Sequence, residues 1–155
     1  MRSARLEVLF RRLRQARYEV TSPADPRYNC IAWAAHRADR FWWPDPYFQY
    51  FWPESPRDGS LHGFVRVFGS LGYDLCESAK LEPGFEKVAI YTCESQPTHM
   101  ARQLPSGDWS SKCGRLEDIS HRLEGLEDSD YGRVTVIMKR PLPTPHQGTR
   151  HANAK

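Results

Sequence analysis

The sequence predicts an α+β fold in which helices, one of them bearing Cys30, pack on an antiparallel sheet of about four or five strands. Two observations carry that expectation. In the first half, Leu6, Leu9, Phe10 and Leu13, and again Leu61, Phe64, Val65, Phe68 and Leu71, recur at three- and four-residue steps, the period of an amphipathic helix. From Lys87 onward the pattern changes to short β-forming runs separated by turn residues, as in an antiparallel meander. The length fits one such unit. A chain of 155 residues, 39% hydrophobic and 26% charged, buries about two-thirds of its unfolded surface in one core. A single domain over residues 1–140 follows, with the proline-bearing tail from Pro141 to Lys155 expected to be disordered.

Residues 3–17 read as a helix whose apolar stripe packs on the domain. Ser22-Pro23-Ala24-Asp25-Pro26 then stops any helix, because proline lacks an N–H and restricts the residue before it. Asn29 is a fitting N-cap for a helix that begins at Cys30 and ends near Asp39. Residues 41–53 hold eight aromatic side chains and three prolines, which excludes a regular helix or a central strand there. This loop either walls a groove, with Trp42 and Trp43 supplying apolar contact beside Trp109, or folds over the core. Residues 60–71 read as a helix stopped by Gly72, and 73–76 as a short edge strand. The meander runs through Lys87–Thr92, Thr98–Leu104 and Trp109–Cys113, with a turn at Pro105-Ser106-Gly107-Asp108. In its second strand the alternation places His99, Ala101 and Gln103 on one face. Residues 116–124 read as a short helix or turn, and Arg133–Met138 as a further strand.

Composition narrows the function. No apolar run approaches the ~20 residues of a membrane span, and none near the start resembles a signal-peptide core, so a cytoplasmic location is expected. Cys30, Cys76, Cys93 and Cys113 have no paired spacing, which points to free thiols and to no metal site. No glycine-rich phosphate loop is present, and no cofactor is expected. Arginines at 2, 5, 11, 12, 14 and 17 crowd the start of the chain. Without interleaved aromatic residues they read as the solvated face of a helix rather than a nucleic-acid or membrane surface.

The chemistry-bearing candidates are Cys30 and His99. A thiol at a helix start meets unpaired N–H groups and the positive end of the dipole, both of which favour the thiolate. The other reading of Cys30 is a small buried hydrophobe, and of His99 a structurally bonded strand histidine. Cysteine hydrolysis further needs donors for the oxyanion and a group that orients the imidazole. Asn29 and the Cys30 N–H are candidates for the first, and Ser111, Asp118 or His121 for the second.

Asn29-Cys30 on a helix, Thr98-His99 on a strand and Trp109-Ser110-Ser111-Lys112 on the next resemble the papain-like superfamily, nearest in architecture to NlpC/P60 and CHAP amidases and peptidases. That resemblance implies Cys30 as nucleophile, His99 as general base and a peptide or protein substrate. The third strand departs from the pattern, having no carboxylate or amide at the orienting position. Tyr28-Asn29-Cys30-Ile31-Ala32-Trp33-Ala34, Glu86-Lys87-Val88-Ala89, Ser111-Lys112-Cys113-Gly114, Glu117-Asp118-Ile119 and Tyr131-Gly132 also resemble an uncharacterised family of small bacterial proteins, over about residues 27–140. The sequence thus leads to a cysteine hydrolase or acyltransferase acting on amide bonds. The alternatives are a non-enzymatic interaction module using loop 41–53, and a toxin- or defence-associated protein that works by binding.

Overall fold

The computed structural model describes residues 1–143. Its centre is a seven-stranded sheet: β1 (Tyr18–Ser22), β2 (Asp74–Cys76), β3 (Phe85–Cys93), β4 (Gln96–Gln103), β5 (Trp109–Lys112), β6 (Asp118–His121) and β7 (Arg133–Pro141). The spatial order is β1-β6-β5-β4-β3-β7-β2, and every pairing is antiparallel. The α+β class holds, with more strands than the four or five expected. The additions are β1 and β6, the latter lying inside the stretch read as a helix or turn. Asp118-Ile119-Ser120-His121 carries little β propensity of its own. It becomes a strand because β5 and β1 pair with it on either side.

Three helices flank the sheet: α1 (Ala4–Leu9), α2 (Cys30–Ala34) and α3 (Leu61–Ser70). Strand alternation sends neighbouring side chains to opposite faces, and two cores result. One joins Cys30, Ile31, Phe64, Val67 and Phe68 to Val88, Ile90, Met100 and Met138. The other joins Leu6, Phe10 and Leu13 to Ala89, Tyr91, Ala101, Trp109 and Ile137. The helices of the first core and those of the second therefore cover different faces.

The local sequence explains each helix. Ser60 caps α3, its side chain accepting from the Gly63 N–H, and the 61–70 span matches the apolar period. The helix expected over 3–17 is interrupted: α1 stops at Leu9, Phe10 takes φ −124° and ψ 83°, and a 3-10 turn follows over Arg11–Gln15. Arg2 favours this break, donating to the carbonyls of Leu13, Arg14 and Ala16. The break turns Phe10 inward and leaves Leu9 51% exposed. Three arginines of this segment pair with acids distant in sequence, Arg5 with Glu117, Arg12 with Asp128 and Arg17 with Asp108. No helix among the described residues is long and apolar enough to cross a membrane. Pro141 closes β7 rather than opening the tail, and residues 144–155 of the expected tail lie outside the described residues.

Candidate functional site

Asn29 does what its position predicts. Its side chain accepts from the Ala32 N–H and the Trp42 N–H and donates to the Trp42 carbonyl, so it both caps α2 and ties the aromatic loop to it. These bonds use the amide on both sides, leaving it committed to structure. Cys30 opens the helix as expected, but it is 7% exposed. Burial pushes its thiol up to about 11, outweighing the backbone N–H groups of Met100, Ile31 and Cys30 that pull the other way.

His99 is fully buried. Its ring stacks on Tyr131 at 4.0 Å and meets Tyr91 edge-on at 5.1 Å, both of which pack with the second core. Cys30 packs with Met100, the next residue along β4, in the first. Among the described residues no hydrogen bond joins Cys30 to His99.

What His99 does meet is Ser111 and His121. Ser111 Oγ lies 2.9 Å from His99 Nε2 and 2.7 Å from His121 Nε2. His121 Nδ1 lies 2.7 Å from the Arg122 carbonyl, which can only accept, so Nδ1 carries the proton. His121 Nε2 must then accept from the Ser111 hydroxyl, and Ser111 accepts in turn from His99 Nε2–H. The chain is directional, and with its Nδ1 protonated and its Nε2 accepting, His121 is neutral. Among the described residues His99 Nδ1 at its end is buried without a partner. Burial holds His121 down at about 4 and His99 well below the ordinary histidine value.

Asp118 is not part of this chain. Its carboxylate accepts from the Ser22 hydroxyl and the Tyr28 hydroxyl. The three tryptophans expected to wall one groove are likewise separated. Trp42 is buried in the first core and Trp109 in the second, while Trp43 packs edge-on against Phe64 at 6.0 Å. No single groove contains all three, because the sheet lies between the two cores.

The exposed part of the aromatic loop is its tip. Tyr47 is 81% and Phe48 75% exposed, and Phe48 adopts φ 58°, a left-handed conformation that is an outlier for a bulky residue. Asp45 makes the tip rigid. Its carboxylate accepts from the Gln49 N–H (2.8 Å), the Tyr50 N–H (3.0 Å) and Arg57 Nη1 (3.1 Å). Burial raises this carboxyl, but the Gln49 and Tyr50 N–H groups and Arg57 outweigh it and hold it below its ordinary value. The Arg57 guanidinium also lies 4.4 Å from the Phe48 ring. A cleft of ≈ 500 Å³ opens beside the tip, lined by Pro46, Phe48, Trp52, Pro53, Pro56 and Arg57 among others. Gly63 anchors the loop's exit, since a Cβ there would come within 2.1 Å of the Asp58 carbonyl oxygen.

The prolines of 41–53 disclosed this loop in the sequence, whereas the pairing of Asp45 with Arg57 twelve residues on, which braces its tip, has no local signal.

These features define a small α+β antiparallel-sheet domain with a buried imidazole relay on one face and a braced aromatic loop on the other. Residues 19–139 match the family described as "Domain of unknown function (DUF7689)", and the chain belongs to it. No curated protein and no solved structure matches the chain.

Proposed function

We propose that this domain is a protein-interaction module that uses the tip of loop 41–53 and the adjoining cleft to bind an extended, proline-containing segment of a partner. The observation that carries the reading is Phe48: three-quarters exposed, yet held at φ 58°. A strained exposed aromatic costs on the order of 1–3 kcal/mol and persists only where surrounding structure imposes it, a pattern that concentrates at functional sites. Asp45 and Arg57 hold the tip in this conformation without burying the ring, which leaves the ring available to a partner. Rigid aromatic anchors of this kind give large contact area at low entropic cost.

The wall chemistry selects the partner. Pro46, Pro53 and Pro56 line the cleft beside Phe48 and Trp52, and proline supplies no N–H, so the wall offers few donors for strand addition. Ring packing against Phe48 and Trp52 suits it better, and aromatic grooves of that type accept polyproline II segments. Hydrolysis through Cys30 and His99 is less well supported, since each is buried and no hydrogen bond joins them among the described residues.

A phage library of nonapeptides with a fixed central Pro-Pro, selected on the full chain, tests the reading. Enriched peptides should lose at least tenfold in affinity on Tyr47→Ser or Phe48→Asn, with the fold intact by circular dichroism. No enrichment, or binding indifferent to both substitutions, defeats the proposal.

A further inference from the structure

A second pocket lies away from the aromatic loop, at the end of the sheet where β3 begins and β4 ends. It has a volume of ≈ 520 Å³, within the roughly 300–1,000 Å³ typical of small-molecule sites. Leu81, Phe85, Leu104 and Leu142 form its apolar wall, and His36 and Glu86 stand on its polar side. Leu81 and Leu142 are 49% and 45% exposed, a loss of apolar burial that an occupant would recover.

The polar side is built rather than incidental. Helix α2 ends in a Schellman arrangement, with His36 N–H bonded to the Trp33 carbonyl (3.0 Å) and Arg37 N–H to the Ala32 carbonyl (2.8 Å). The residue after such a helix takes a left-handed conformation that glycine fills most cheaply. Here it is His36, at φ 64°. The imidazole accounts for the choice. Its Nδ1 accepts from Arg102 Nη1 at 2.8 Å, because a guanidinium can only donate. The proton is therefore on Nε2, which lies 3.3 Å from Glu86 Oε1. Arg102 is fixed in turn, 3.9 Å over the Trp33 ring and bonded to the Trp33 carbonyl. Burial and the neighbouring Arg102 lower the His36 pKa, so the ring is neutral near pH 7.

Glu86 has a free side. Arg140 Nε at 2.6 Å, the Tyr73 hydroxyl at 3.1 Å and His36 all address Oε1. Oε2 carries no bond among the described residues. The other acid on the wall, Glu82, is matched by Lys139 and Lys87, and among the described residues no lysine or arginine lines the pocket.

We propose that this pocket binds a small amphiphilic amine, its hydrocarbon portion against Leu81, Phe85, Leu104 and Leu142 and its ammonium donating to Glu86 Oε2. The sign of the charge follows from Glu86 Oε2, which is unspent, whereas the cations nearby, Lys87, Lys139 and Arg140, are already matched by Glu82 and Glu86. His36, held by Arg102, keeps the carboxylate turned with Oε1 inward to the network and Oε2 unspent. The site is separate from the aromatic loop and stands or falls independently of it.

Titration of the full chain with decylamine, decanol and decanoate, read by calorimetry and by amide shifts of Phe85 and Leu104, tests the assignment. Decylamine should bind at least tenfold more tightly than decanoate, with decanol between them. Glu86→Gln should remove the preference for the amine while leaving decanol nearly unchanged. Because Glu86 also holds Arg140 and Tyr73, a second variant, Leu104→Trp, fills the pocket from the apolar side with that network intact, and it should abolish binding of all three. Decanoate binding as tightly as the amine, no binding by any of the three, or amine binding that survives Leu104→Trp would each overturn the proposal.

Discussion

Cys30, His99 and His121 are each less than a tenth exposed and sit among apolar or uncharged neighbours, whereas Tyr47 and Phe48 stand 81% and 75% exposed on a loop fixed by a carboxylate. The first group has reactive chemistry without access. The second has access without reactive chemistry. Nucleophiles and bases are tuned by burial only when a substrate can still reach them, and buried further they become packing units. Aromatic rings gain from the opposite treatment, since a ring already in the core has nothing left to bury on binding.

The largest expected effect probes the buried side. With burial pushing the Cys30 thiol from an ordinary 9.0 up to about 11, its thiolate population at pH 7 falls by roughly two orders of magnitude. Iodoacetamide should therefore label the exposed Cys93 first and reach Cys30 only as the chain unfolds, as read by mass spectrometry. Rapid Cys30 labelling that slows in His99→Ala would reverse the comparison and restore the thiol–imidazole pair.

Acid should act on the same region. A histidine whose folded pKa is depressed leaves stability intact above its unfolded value and withdraws it as the pH falls. For His121, moving from the ordinary 6.5 to about 4, the loss develops between those two values and amounts to on the order of 3 kcal/mol. His99 is shifted in the same direction and adds to it. Denaturation midpoints taken from pH 7 to pH 4 should fall accordingly, and His121→Phe should flatten the profile. A stability that is level over this window would mean the relay opens to solvent.

Ser111→Ala comes next, at about 2 kcal/mol or more in chemical denaturation, because it strands a donor on His99 and an acceptor on His121 at once. Peptide binding at the loop should be untouched by it. Phe48→Asn is the smallest and sharpest. Asparagine tolerates a left-handed conformation, so stability should rise by up to about 1 kcal/mol, less whatever the Arg57–Phe48 contact contributes, while binding falls. A variant that loses both stability and binding would mean the ring is structural.

How far the sequence disclosed these regions follows from the range of the interactions involved. The α3 span with its Ser60 cap, the hairpins from β3 to β5, and the Asn29 cap on Cys30 all depend on neighbours in sequence, and all were legible. The end of α2 was not, because His36 occupies a glycine position for the sake of Arg102 and Glu86, 66 and 50 residues away. Strands β1 and β6 were missed for a similar reason: Tyr18 pairs with His121, and nothing near either residue signals it. The candidate site divides the same way. His99, Ser111 and His121 do converge, since strand alternation and adjacency bring them to one face. Cys30 packs with the other core, and only the assembled sheet decides that.

The pairing of β1 with β6 also bears on how the chain assembles. Strands β3 to β6 form by closing short turns, and β7 pairs with β3 at separations of 41 residues and more (Thr92 with Arg133, 133 minus 92), so this part can organise while the rest is still open. Tyr18 must wait for a partner about a hundred residues further on, at a loop-closure cost that local contacts do not meet. The amino-terminal strand is therefore the last to dock, and the first to leave when the molecule is pulled from that end.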